Sequence, residues 1–309
     1  MSDYDYLSFS RTFGAFLDPF PYSRTVILSI EATRRSFDGS LFIDRVLTAL
    51  NLRQAVSHYP PKNEGALRQL HHHICDANNS ISTLHRHSII YYLYLDLHGR
   101  CGAASDAAER FARFASLPER YQVFMRGLWL MDSRDFERAL EHLTHPSLIS
   151  DFADDIITVL VRLARDGDYT LPLAYYHTVQ PSIQSSAALQ SLFDAVAHSS
   201  VTAAFDFSRS HAEYMRRQLF QRLVVIVLSS GRGEDAAERA FELTSLPLDA
   251  DEEQWFKESL ESGDGMSQKT AKDTLLMRRI VTGCAVGAGE KGTWATVLEG
   301  FKTGSGGRV

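Results

Sequence analysis

The chain has 309 residues, 44% hydrophobic and 23% charged, with a formal net charge of -6 at pH 7. These proportions are ordinary for a soluble globular protein, and the length admits two domains or one elongated helical array. The acidic balance argues against a surface built as a whole for DNA, whose phosphates attract the opposite sign.

Cys75, Cys101 and Cys284 are far apart and odd in number, which predicts a reducing compartment rather than a disulfide framework. No basic stretch precedes a long apolar core near the N-terminus, so no signal peptide is predicted. The longest strongly apolar run, Leu223 to Leu228, is too short to span a bilayer. A soluble, intracellular protein is expected.

Residues 1–22 form an arm that interleaves Tyr4, Tyr6, Phe9, Phe13, Phe16, Phe20 and Tyr22 with polar residues. Aromatics at this density cover a hydrophobic groove, the protein's own or a partner's. Beyond the arm, helical periodicity dominates. Ser23 is placed to cap a helix carrying Val26, Ile27, Ile30 and Phe37. Beyond Gly39 a second helix is predicted with Leu41, Phe42, Val46, Leu50 and Val56 on one apolar face, halted by Pro60 and Pro61. A third helix covers residues 63–77. Ser80 opens a fourth, with Leu84, Tyr91, Tyr94, Leu95 and His98 before Gly99. Further starts are read near Asp106, Pro118, Asp135, Asp151, Asp168, Pro181, Val201, Ser210, Glu234, Asp249 and Lys269. The β-branched runs Thr25 to Ile30 and Leu223 to Leu228 continue helical patterns, and no hairpin turn flanks them. The prediction is an all-α fold of stacked antiparallel helices, α-solenoid-like or an irregular bundle.

Ala107 to Pro118 (AAERFARFASLP) recurs as Ala236 to Pro247 (AAERAFELTSLP), identical at seven of twelve positions. The echo fits two related helical halves or a chance likeness of Ala-rich helices.

Chemistry is sparse. On a helix, His71 and Cys75 share a face, and His72, His73, His85 and His87 lie near in sequence. Without a second tight ligand pair the set does not form a structural zinc pattern; a metal-dependent enzyme using it is the alternative reading. Gly287 to Gly292 (GAGEKG) matches a dinucleotide fingerprint in form only, since neither a preceding strand nor a βαβ unit accompanies it. The stretch reads as linker within a Gly-rich tail over residues 286–309. No nucleophile elbow occurs, and the carboxylates cluster at helix starts. Neither catalysis nor a cofactor is expected.

The most informative segments lie late in the chain. In Leu246 to Leu260 (LPLDADEEQWFKESL), Asp249 and Glu252 have capping-box spacing. Trp255, Phe256 and Leu260 come next as apolar surface. Residues 249–264 hold seven acids against one Lys. In Ala271 to Gly283 (AKDTLLMRRIVTG), Leu276 and Ile280 share a face beside Leu275 and Met277. Arg278 and Arg279 occupy the last turn, where cations suit the carbonyl end. The pair reads as core packing or as a partner-binding edge.

These two segments resemble the helical domain of the ELYS nucleoporin family. So do GSLFIDRVLTALNL (Gly39 to Leu52) with the later YPP, the block Ser116 to Leu148, and Phe207 with Ser210. In the central block, Trp129 and Phe136 are expected to pack a helix pair, Asp132 and Asp135 to make its turn and cap, and Pro146 to end the second helix. The resemblance runs from about residue 20 to 285, giving an ELYS-like helical domain over residues 23–285. It implies a scaffold component of the nuclear pore, docked on the Y-shaped outer-ring subcomplex with outer-ring nucleoporins as partners. The rival is a generic helical-repeat adaptor with no pore role. Direct DNA binding is not expected, because the Arg-Gly-Arg-Pro core of larger relatives is missing. Phe13, Phe16, Phe20, Trp255, Phe256, Leu275, Leu276 and Trp294 are the candidate partner anchors.

Overall fold

Side chains at the predicted starts close many first helical turns. Ser23 Oγ accepts from Val26 N at 3.3 Å, Asn63 Oδ1 from Ala66 N at 2.8 Å, Ser200 Oγ from Ala203 N at 3.1 Å, and Asp249 Oδ1 from Glu252 N at 2.9 Å. Each satisfies one of the amide groups a helix leaves free at its start. The computed structural model describes residues 8–76, 80–99, 106–229 and 233–282, and every regular element among them is helical.

In chain order these are α1 (Phe9–Phe13), α2 (Arg24–Ser36), α3 (Phe42–Ala49), α4 (Arg53–Val56), α5 (Glu64–Cys75), α6 (Thr83–Gly99), α7 (Ala107–Phe114), α8 (Glu119–Asp132) and α9 (Phe136–Leu143). Next come α10 (Ala153–Arg162), α11 (Thr170–Val179), α12 (Ser186–Ser199), α13 (Val201–Arg209), α14 (Glu213–Ser229), α15 (Glu234–Ser245), α16 (Ala250–Glu261) and α17 (Ala271–Val281). They gather into two compact units, Met1–Asp151 with Ala174–Pro181 and Phe152–Leu173 with Ser182–Val309. The echoed segments fall one in each unit, as α7 and α15. The Gly-rich tail, with Trp294, lies outside the described residues.

In the first unit, α6 is buried on every side from Arg86 to Leu97 and packs against α5, α7 and α8. α8 in turn meets α2, α3 and α9. Gly127 permits the close α8–α9 approach: a Cβ there would lie 2.6 Å from Leu143 Cγ. Gly99 similarly leaves space for the indole of Trp129, whose Nε1 donates to Asp96 Oδ1 at 3.1 Å. Trp129 therefore packs on α6, and Phe136 lies beside Phe37 at 6.5 Å between ring centroids, so both reach beyond the helix pair they were expected to pack.

Asp132 also has a different role from the expected local turn. Its carboxylate is fully buried and accepts from Phe42 N (2.8 Å), Ile43 N (3.0 Å) and Tyr92 Oη (2.8 Å). Leu41, at the N-cap of α3, has no side-chain acceptor. Asp44 returns to Leu41 N at 2.9 Å, forming half a capping box, and Asp132 supplies the missing acceptor from α8. Asp135 occupies the N-cap position of α9, but its carboxylate pairs with Arg138 instead of capping. Pro146 lies three residues beyond the end of α9.

The single helix expected over Leu41 to Val56 is two. Asn51 adopts left-handed geometry (φ 62°), and Leu52 N donates back to Leu47 O at 2.7 Å. This six-to-one closure ends α3 before α4 begins.

In the second unit, α14 is the hub, packed against α12, α13, α15 and α16. Leu219, Phe220, Leu223, Val224 and Val227 are its buried face. The β-branched run Leu223 to Leu228 is helical, as predicted.

Candidate partner-binding surface

The described part of the arm is folded onto its own unit. Phe13 is fully buried, with ring contacts to Phe9 (5.8 Å), His71 (5.8 Å) and Tyr94 (6.0 Å). Tyr94 Oη donates to Thr12 O at 2.7 Å and fastens α1 to α6. Phe16 is half-buried edge-on to Tyr94, and Phe20 is half-buried beside Tyr22.

The histidine cluster is drawn into the same packing. His71 is edge-on to both Phe9 and Phe13, with its Nε2 3.5 Å from Cys75 Sγ. Burial pushes the Cys75 thiol up to about 11, which keeps it protonated and unreactive at neutral pH. Among the described residues, no three His, Cys, Asp or Glu side chains are grouped to hold a metal ion. None of the described helices is long and apolar enough to cross a membrane.

The late helix pair forms its capping box in full, with Asp249 N donating to Glu252 Oε2 at 2.9 Å and Glu252 N to Asp249 Oδ1. Four of the seven acids in the acidic stretch, Asp249, Glu252, Glu253 and Glu258, are paired with arginines from other helices. Glu252, fully buried, takes Arg209 Nη2 at 2.6 Å and Arg216 Nη2 at 2.5 Å. Arg216 also meets Asp249, Arg278 meets Glu253, and Arg217 lies 2.9 Å from Glu258. Burial pushes the Glu252 carboxyl up, but the hydrogen bonds from Arg209 and Arg216 outweigh it and hold the group below the usual carboxylate range. Paired and hydrogen-bonded in this way, the buried charge is tolerated.

Trp255 and Phe256 belong to the core of this unit. Trp255 lies under the Arg216 guanidinium (5.5 Å) and against Phe220, and Phe256 is 1% exposed. On α17, Ala271, Thr274 and Arg278 face inward. Arg278 reaches beyond the dipole role read from its position: Nη1 donates to Thr244 O (2.7 Å) and Leu246 O (2.6 Å), tying α17 to the end of α15. Leu275, Leu276, Met277 and Ile280 are half-buried and Val281 is exposed. Phe241 on α15, the helix α17 packs against, is 54% exposed. Of the candidate anchors, Phe16, Phe20, Leu275 and Leu276 thus retain solvent-reachable surface, while Phe13, Trp255 and Phe256 are enclosed.

Sequence reading missed the long-range partners, Asp132 for α3, Arg209 and Arg216 for Glu252, and Arg278 for two carbonyls. Their sequence signal was at most an acid or arginine already assigned to its own helix.

The ELYS family profile, described as nuclear pore complex assembly, matches residues 40–263. The uncharacterized protein ely5 of Schizosaccharomyces pombe is 25% identical over 254 residues, covering 82% of this chain and 79% of ely5. Human protein ELYS is 23% identical over 192 residues, covering 59% of this chain and 8% of the human protein. With most of both compact units inside the matched span, this chain belongs to the ELYS family of nuclear pore complex assembly.

Proposed function

We propose that this chain is a helical docking piece of the nuclear pore that attaches to the Y-shaped outer-ring subcomplex and helps the pore assemble. Family membership implies a role in nuclear pore assembly, other pore components as partners and a location at the pore; members of the family are scaffolds rather than enzymes. The observation that carries the reading is the family match over residues 40–263, which includes helices of both units. The α15–α17 edge supports a contact role, because Leu275, Leu276, Ile280, Val281 and Phe241 leave apolar surface outside the core.

Affinity capture from nuclear-envelope material, read by mass spectrometry, tests the proposal. The unaltered chain retrieves outer-ring subunits, and the paired change Leu276→Ser with Phe241→Ser lowers recovery by about tenfold with the helical circular-dichroism signal unchanged. Recovery of cytoplasmic proteins alone sinks the pore reading in favour of a general adaptor. Unchanged recovery with the paired change removes the α15–α17 edge from the contact.

A further inference from the structure

Helix α2 carries an apolar stripe that the core covers and a second, mixed stripe that it leaves open. Ile30, Thr33 and Phe37 recur at helical spacing and are buried. Arg24, Ile27, Leu28 and Glu31 form the second stripe at the i, i+3, i+4, i+7 spacing. Leu28 is 56% exposed. Together with Tyr22 and Lys62, these four residues line an open cleft of about 490 Å³, a size that accommodates small ligands or a side chain. A second cleft of about 300 Å³ shares Glu31 and Lys62 and continues past Arg34 and Tyr59. The two form one furrow, apolar at the Leu28 end.

Its charges are unevenly matched. Glu31 receives Arg34 Nη1 at 2.6 Å, and Asp44 receives Arg34 Nε at 2.8 Å, so one guanidinium ties up both carboxylates of the furrow and leaves the triad one negative charge. Arg34 is further held by Tyr59 O at 2.9 Å. Arg24 and Lys62, by contrast, make no side-chain hydrogen bond or ion pair among the described residues. The three cations of the furrow, Arg24, Arg34 and Lys62, thus outnumber its two carboxylates, and a chain of net charge -6 places two cations without an ion-pair partner among the described residues on the rim of this cleft. We infer that this furrow docks an extended acidic protein segment carrying one large apolar side chain. Tyr22, Ile27 and Leu28 hold the apolar anchor, and Arg24 and Lys62 meet the flanking carboxylates. α2 precedes the span matched by the family profile, whereas Tyr59 and Lys62 on the other wall of the furrow lie within it. The inference rests on the docking reading for the origin of the segment, while peptide binding tests the furrow by itself.

The probes are fluorescein-labelled peptides with a single Phe flanked on both sides by aspartates, the same peptide with Ala for Phe, and a version flanked by lysines. Fluorescence anisotropy with the full chain should show saturable binding of the aspartate–Phe peptide, about tenfold tighter than either control. Raising salt from about 50 to 300 mM should weaken it severalfold. Leu28→Ser should weaken binding about tenfold, and Arg24→Glu with Lys62→Glu by as much or more. Both variants alter exposed positions, and circular dichroism checks that they fold. Equal binding of the lysine peptide, no saturable binding of any peptide, or binding undiminished in Leu28→Ser overturns the inference. So does self-association of the chain that Leu28→Ser abolishes, since a second copy would then be the occupant. Capture of outer-ring subunits without peptide binding overturns the furrow and leaves the docking reading standing; peptide binding without such capture does the reverse.

Discussion

Asp132→Ala removes one acceptor group and leaves three donors without it inside the first unit: Phe42 N, Ile43 N and Tyr92 Oη. A buried donor deprived of its partner costs about 1–3 kcal/mol. The two amides have no alternative, because Leu41 offers no side-chain acceptor, whereas the Tyr92 hydroxyl can rotate. The substitution should therefore cost about 3–5 kcal/mol, a large share of the roughly 5–15 kcal/mol that holds a domain folded. Tyr92→Phe deletes one donor together with its desolvation and should cost only about 1 kcal/mol. Urea unfolding followed by Trp129 fluorescence, in a Trp255→Phe, Trp294→Phe background that removes the other two tryptophans, reads the first unit. With a slope of about 2 kcal/mol per molar urea, the midpoint should fall by about 2 M for Asp132→Ala and about 0.5 M for Tyr92→Phe. If Asp132→Ala costs less than about 1 kcal/mol, or no more than Tyr92→Phe, the cross-helix cap is not what holds α3 in place.

Gly127→Ala places a methyl group 2.6 Å from Leu143 Cγ; forcing α8 and α9 apart should cost about 1–3 kcal/mol in the same assay, and an unchanged midpoint would show that the helices slide apart freely. Glu252 and Asp249 are both held below the usual carboxylate range, so their stabilising share is complete above that range and lost as pH falls through the depressed values. The midpoint read from Trp255, in a Trp129→Phe, Trp294→Phe background, should decline on acidification from about pH 5, and Glu252→Gln should flatten that decline. His73 is held below the usual imidazole range by burial and by neighbouring His58 and His72. Its contribution is therefore present above the ordinary imidazole value and lost below it, and His58→Gln should reduce the fall in thermal midpoint between about pH 7 and 5.5. Arg278→Ala frees the carbonyls of Thr244 and Leu246 and the carboxylate of Glu253; a cost of about 2–4 kcal/mol and earlier proteolytic cleavage near α17 are expected.

The starts at Ser23, Asn63 and Asp249 were legible because a cap acts over three residues, within the reach of local pattern. The break between α3 and α4 carried a weaker signal, an Asn in left-handed geometry inside an otherwise continuous apolar face. The anchors divided for a similar reason. Trp255 and Phe256 look alike as core or contact residues in one dimension, because periodicity marks an apolar face without saying which helix covers it.

The sequence by itself determined an all-helical chain, most of its helix starts and its family resemblance, since capping, periodicity and turn chemistry are set by neighbours a few residues apart. Only the tertiary structure decided that Asp132 caps a helix ninety residues earlier, that arginines from α13 and α14 neutralise the buried Glu252, and that Leu28 rather than Phe13 faces water. Those outcomes depend on which surfaces the folded chain brings together. A carboxylate's partner or an aromatic ring's cover is fixed by packing in three dimensions, which local spacing does not encode.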